Sequence, residues 1–316
     1  MRSIFFLFSI FVVSAFTEQI QSPSHAISLP AIFTSRIDSI PDYYQRDGSF
    51  GGFPRKGSLY CGPVSISNTL LYYGLNGYHG IINRSGDPKK DQYNLIKKLG
   101  SSRYVNTGSH GSSPSDMVSG LKLFLSDHGY DSAKIHYYGF RTVPHDFGTG
   151  ISVPDLNIAR KALIENKAVW FNIGWYSFSR SRNEYRRNGG HWVSLVGYGH
   201  NGKENDPDVL IIHDPDTRWR FNDYLKLEGI KSGTLTGQIK GLPRDAAGFY
   251  RFRSSNGKYG IIGGMVVLEM PKGSKSQVAS RKSQVASRKS QVASRKSQVT
   301  SHKSQVESRK LQVKRM

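Results

Sequence analysis

Leu59–Gly74, LYCGPVSISNTLLYYG, holds Cys61, the only cysteine among 316 residues. Pro63 suits the first turn of a helix, where its missing N–H would have no partner anyway. Gly74 reads as the stop, because glycine accepts the left-handed conformation that closes a helix. Between them Val64, Ile66, Leu70, Leu71 and Tyr73 supply enough apolar surface to hold that helix in a core. A thiol at the positive end of a helix has its thiolate favoured by the dipole, which is where a nucleophile belongs. A free core cysteine is also consistent with this stretch, since cysteine is among the most buried residue types.

Working outward, helices come first and strands after. Asp91–Leu99, Pro114–His128 and Asp155–Asn166 carry helical apolar spacing, with Ser113 placed to cap the second of these and Gly129 to end it. Lys134–Tyr138, Ala168–Trp175, His191–Tyr198, Asp208–His213, Gly248–Phe252 and Ile261–Met270 read as strands. Arg46–Ser58, rich in glycine and polar residues, reads as a loop leading up to Cys61, with Leu75–Asp91 broken by Gly77, Gly80, Gly86 and Pro88. Ser177–Asn188, with Arg180, Arg182, Arg186 and Arg187, reads as a basic surface loop, and 200–207 as a turn. This order predicts an α+β domain with helices packed against an antiparallel sheet.

Composition bounds the rest. With 37% hydrophobic and 12% aromatic residues the protein has ample material for a core, and one cysteine permits no internal disulfide. The net charge is +21, from 44 basic and 23 acidic residues. Thirteen of those basic residues, against the single acidic Glu307, fall in 271–316. There KSQVASR occurs three times and then degenerates through KSQVTSH, KSQVESR and KLQVKRM. A seven-residue period with one valine per unit lacks the paired apolar positions of a coiled coil. Low hydrophobicity and like charge predict a disordered tail suited to an anionic surface or polymer. No aromatic residue interleaves the basic ones, so stacking of nucleic-acid bases is not supported.

At the other end, Arg2 followed by the apolar run Ile4–Val13 and the small residues Ser14 and Ala15 has the pattern of a secretory signal. The run is too short for a comfortable span of a bilayer, for which about 20 residues are needed. The expected organisation is therefore a signal over 1–15, one domain over 16–270 and a basic repeat tail over 271–316. The mature protein is expected to be secreted or otherwise extracytoplasmic, with no transmembrane domain once the signal is removed.

A cysteine nucleophile needs a base, and the base needs an orienting group. Among ten histidines, His191 is singled out because it follows Gly189-Gly190 at the expected start of a strand. Its distance from Cys61 along the sequence also suits a base that meets its nucleophile only in the folded protein. Asp214 ends DVLIIHD, with Pro215 terminating that strand, and on a paired strand its carboxylate can accept a hydrogen bond from the imidazole. His213 alternates to the other side. The acidic turn Glu204, Asp206, Asp208 lacks the spacing of a calcium loop, and neither a zinc pattern nor a glycine-rich phosphate loop is present. No cofactor or metal is called for.

YCGPVSISNTLLYYG, GGHWVSLVGYG and VLIIHDPDT, in that order, resemble the cysteine helix, histidine strand and aspartate strand of papain-like cysteine peptidases related to the bacteriocin-processing, double-glycine-leader family. IARKALIENKAVWFNIGW resembles the helix and strand that precede the histidine, so the resemblance covers about 40–217. It implies a papain-like fold, with the helix carrying Cys61 packed on an antiparallel sheet carrying His191 and Asp214. It further implies that Cys61 is the nucleophile, His191 the general base and acid, and Asp214 the orienter. Gln45 matches the glutamine that completes the oxyanion hole, although its place so far upstream of Cys61 requires the intervening loop to bulge out. The transporter domain carried by bacteriocin-processing members is not found in the sequence, and so the substrate, a peptide or protein, cannot be carried over. Hydrolysis, acyl transfer by the same residues, and an inactive binding or anchoring module on the same fold remain distinct readings of the sequence.

Overall fold

The structure, a computed structural model, describes residues 29–218, 222–237, 243–254 and 257–271. The expected signal and nearly all of the repeat tail lie outside the described residues. Within them the protein is α+β: four α-helices and ten strands joined in one sheet.

Helix α1 spans Cys61–Leu75 and is followed by α2, Pro88–Leu99, and α3, Pro114–Asp127. Gly74 does not end α1. It lies inside the helix, where a Cβ would come within 2.9 Å of the Ile82 side chain, and Asn76 takes the C-cap before the left-handed Gly77 (φ 104°). Its lack of a side chain serves close packing rather than termination. Pro88 likewise opens α2 instead of breaking the chain, behind an Asp87 cap that accepts from the N–H groups of Lys89 and Lys90. The Ser113 cap of α3 forms as a reciprocal capping box with Asp116.

After α3 come β1, Lys134–Gly139, and α4, Leu156–Ile164. The sheet then builds from β2, Ala168–Ser179; β3, Glu184–His200; β4, Asn205–His213; β5, Asp223–Lys226; β6, Glu228–Gly229; β7, Thr234–Thr236; β8, Arg244–Asp245; β9, Tyr250–Arg253; and β10, Tyr259–Glu269. Its main order is β5-β4-β3-β2-β10-β9-β6, with β1 also on β10. All pairings are antiparallel except that of β7 with β3.

Ser177–Asn188 is not a surface loop. β2 and β3 continue pairing through Ser177–Arg186, Phe178–Tyr185 and Ser179–Glu184, leaving only Arg180–Asn183 as the turn. The buried Tyr176 and Tyr185, packed with Leu235 and Phe249, hold the hairpin in a small core of its own, while Arg180, Arg182 and Arg186 are exposed. His191 consequently lies well inside β3 rather than at its start.

The central strands are buried on both faces, which is why Ala168–Phe171, AVWF, reads as a continuous apolar run. Trp170, Trp192, Val266 and Leu268 join the core under α1, α2 and α3, whereas Val169, Phe171, Val193 and Val267 join the core under α4. Alternating side chains thus serve two separate cores.

Candidate active site

The start of α1 is open. Tyr60 provides no side-chain cap, the first turn has no acidic residue, and Pro63 has no N–H to offer. The orphan amide end of the helix therefore faces the surroundings of Cys61, whose side chain is buried among core residues. The helix is set on the sheet through Ser65. Its hydroxyl donates to the Trp192 carbonyl at 3.0 Å, and its own carbonyl accepts from Trp170 Nε1 and from the Ser194 hydroxyl, each at 2.9 Å. Trp192 Nε1 in turn donates to the Ser112 carbonyl at 3.0 Å, closing the segment before α3 against the strand that carries His191.

His191 is 7% exposed, and its Nε2 lies 2.6 Å from Asp214 Oδ1. Asp214 follows the last residue of β4, as the sequence predicts, and also accepts the Asp216 N–H at 2.9 Å. Burial alone would pull the imidazolium's pKa down. The charge and hydrogen bond of Asp214, together with a hydrogen bond to Cys61, outweigh it and hold His191 well above its usual range. Burial likewise pushes the Asp214 carboxyl up, but the opposing imidazolium and the Asp216 amide leave it below its ordinary value. With Nε2 facing Asp214, Nδ1 is the ring nitrogen left for the sulfur. Trp175 stacks over this imidazole at a centroid distance of 6.2 Å.

Gln45 lies in the same neighbourhood, and the residues between it and Cys61 leave and return to it: Phe53 stacks on Tyr60 and Tyr93, and Gly57, in a left-handed conformation (φ 74°), lies so close over Gln45 that any Cβ would overlap the Gln45 carbonyl. The Gln45 N–H donates to the Pro215 carbonyl at 2.8 Å, directly after Asp214. Its side chain is buried, and Oε1 finds no hydrogen-bond partner.

His213 turns away from Asp214, between the Pro41 carbonyl and Asn222, and burial lowers its pKa to about 4. Asp206 and Asp208, expected in or beside a turn, lie at the start of β4, where Lys226 Nζ bridges Asp206 at 2.6 Å and Asp208 at 3.4 Å. Two features of the site carry no local sequence signature. One is Trp175, whose place over the imidazole depends on strand pairing. The other is Asp42, whose Oδ1 is buried without a partner and whose pKa rises to about 8 through burial, then through the charges of Asp223 and Asp214.

A family model described as "Peptidase_C39 like family" matches residues 37–232. No curated protein matches the sequence. The matched stretch contains α1, β3 and the end of β4, and with them every residue of the site described above.

Proposed function

The chain belongs to the Peptidase_C39 like family, and from that premise we propose that it cleaves a peptide or amide bond with Cys61 as nucleophile, His191 as general base and acid, and Asp214 as orienter. Membership of the family points to a cysteine peptidase. The observation that carries the finer reading is the buried His191 imidazole held 2.6 Å from Asp214, with Cys61 also acting to raise its pKa.

In this reading Nδ1 of His191 takes the thiol proton while Nε2–H stays on Asp214. The sulfur attacks the carbonyl carbon, and the oxyanion is met by the open amide end of α1 and by the Gln45 side chain. As the C–N bond breaks, the imidazolium returns its proton to the departing amine and a thioester remains. Water, deprotonated by His191, attacks the thioester and releases the carboxylate and the thiol. An amine in place of water would give acyl transfer, and product analysis with an added amine separates the two.

Cys61→Ala is expected to abolish hydrolysis with the fold intact by circular dichroism; full hydrolysis by that variant would sink the proposal. An inactive anchoring module would instead show no activated thiol. The rate of iodoacetamide labelling against pH, in the native protein and in His191→Ala, decides: coincident profiles mean that the pair does not operate. Export and attachment through the basic tail complete the proposal. Removing 271–316 is expected to abolish retention on an anionic matrix and to leave hydrolysis unchanged.

A further inference from the structure

The segment that carries Gln45 is strung between α1 and the end of β4. On the sheet side, the Pro41 carbonyl accepts from His213 Nδ1 at 3.2 Å, and the Gln45 N–H donates to the Pro215 carbonyl at 2.8 Å. On the helix side, the Tyr43 N–H donates to Asn68 Oδ1 at 3.2 Å. Asn68 stands seven residues after Cys61 in α1, close to two turns, so both lie on one face of the helix, about 10 Å apart along its axis. From Tyr43 the chain runs two residues to Gln45, whose carbonyl lies against Gly57. The Gly57 carbonyl in turn accepts the N–H of Tyr60, the neighbour of Cys61. Gln45 is thereby tied to the same helix that presents the sulfur.

Asn68 is destabilising where it stands. It is fully buried, and its Nδ2 has no hydrogen-bond partner, which leaves a donor desolvated without compensation. An apolar side chain would pack between the helices without that penalty. What asparagine adds is Oδ1, which takes two donors: the Tyr43 N–H and, at 2.7 Å, Nε2 of Gln92 on α2. Gln92 is itself buried, and its Nε2 also reaches the Ser67 hydroxyl at 3.2 Å, which donates to the Val64 carbonyl at 2.7 Å. α2 thus holds the amide of Asn68, and that amide holds the main chain two residues before Gln45. The Gln45 side chain is buried, and among the described residues its Oε1 accepts no hydrogen bond, so its place follows from its main chain.

We propose that Asn68, held by Gln92, is a positioning residue that sets the Gln45 side chain for the oxyanion formed at Cys61. This inference rests on the peptidase reading, in which Gln45 meets that oxyanion. A donor contributes only while it stands at hydrogen-bond distance from the place where negative charge develops, and a shift of about 1 Å can cost roughly a hundredfold in rate. Ties to Asn68 on one flank and to Pro215 on the other restrain that shift.

Two small reagents read the same sulfur in the full-length protein. Acylation by p-nitrophenyl acetate forms the C–S bond through a tetrahedral oxyanion, which then expels p-nitrophenolate. Alkylation by iodoacetamide displaces iodide and forms no oxyanion. The ratio of the two rates therefore reports support of the oxyanion apart from the reactivity of the thiolate. Asn68→Ala is expected to lower this ratio about tenfold, within the roughly hundredfold scale of a deleted oxyanion donor, while alkylation stays near its native rate. Asn68→Asp keeps the oxygen that both donors use and should retain most of the ratio. Gln92→Met, which leaves Tyr43 and Asn68 in place, is expected to lower it less than Asn68→Ala and serves where the alanine variant does not fold.

In a Gln45→Ala background the loss from Asn68→Ala should vanish, because a residue that acts through another adds nothing once the other is gone. Full additivity in that cycle, or a ratio unchanged in every folded variant of Asn68 and Gln92, overturns the positioning role. An equal fall in both rates overturns it too, since a purely structural residue would slow acylation and alkylation alike. A ratio unmoved by Gln45→Ala removes the oxyanion role of the glutamine, and the role of Asn68 with it. Coincident alkylation–pH profiles in the native protein and in His191→Ala would sink the peptidase reading instead.

Discussion

At the scale of single residues, the site is a balance of burial against neighbouring charge. His191 would shed its proton easily in an apolar place, yet Asp214 and Cys61 keep the imidazolium favoured to well above its usual range. A base whose folded pKa is raised contributes stability fully present below its unfolded value, and loses it as pH rises through the folded pKa. Removing the carboxylate charge should therefore move the alkaline limb of Cys61 alkylation to lower pH. Asp214→Asn is expected to shift that limb down by one unit or more, read from rate–pH profiles; an unmoved limb would show that the aspartate does not govern the imidazole.

Asp42 shows the opposite balance. Its folded pKa of about 8 lies far above the ordinary carboxyl value. The native state thus holds a proton that the unfolded chain releases near pH 4, and the stability linked to it drains away as pH rises from about 4 through about 8. Asp42→Asn mimics the protonated form and should remove this loss. At pH 9 it is expected to be more stable than the native protein by at least about 1 kcal/mol, with little difference near pH 4, as measured by urea unfolding at both values.

At the scale of elements, the capping chemistry was legible and the strand ends were not. Ser113 precedes Pro114 and stands at the N-cap with Asp116 at N3, and both halves of the capping box form. Ser113→Ala leaves the Asp116 N–H without its acceptor and should cost about 1 kcal/mol, read as a lowered midpoint in urea with an unchanged slope. The β2–β3 hairpin shows why the strand limits were hidden. Arg180, Arg182, Arg186 and Arg187 give its tip the composition of a solvated loop, and only the burial of Tyr176 and Tyr185 against Leu235 and Phe249 makes it a ribbon. Those partners belong to β7 and to the approach to β9, beyond the reach of local periodicity. Gly74 failed as a stop signal for a related reason. Its role is contact with Ile82, and a glycine needed for packing looks the same in sequence as one needed for a turn.

At the scale of the whole molecule, the polar contacts of one serine help to seat the helical half on the sheet. The Ser65 carbonyl accepts from both Trp170 of β2 and Ser194 of β3, while its hydroxyl donates to the backbone of Trp192. Trp170→Phe keeps most of the apolar burial and deletes one of these bonds, so a loss of about 1–2 kcal/mol is expected by urea unfolding. Because the same contacts set α1 against the strand carrying His191, Cys61 alkylation should also slow in that variant. Normal alkylation with lowered stability would separate docking from the geometry of the site. The sheet has its own long-range dependence: β10 begins at Tyr259, beyond the end of the family match at 232, and pairs with both β2 and β1.

The sequence by itself determined the helix that begins at Cys61, the α+β order, the strand that carries His191 and the strand that ends just before Asp214. Each of these depends on spacing within a short window, on proline and glycine chemistry, or on a motif read together with its neighbours. The tertiary structure alone decided how far the hairpin extends, which residue stacks on the imidazole, where Gln45 rests, and that Asp42 and Arg187 hold buried polar atoms without hydrogen-bond partners. Those features depend on which distant strand supplies the neighbour and on how much water it displaces, and neither quantity is encoded locally. Cys61 carries both lessons: its place at a helix start is written in Pro63, whereas its placement toward the distant His191 depends on how Ser65 and the shared core set that helix on the sheet.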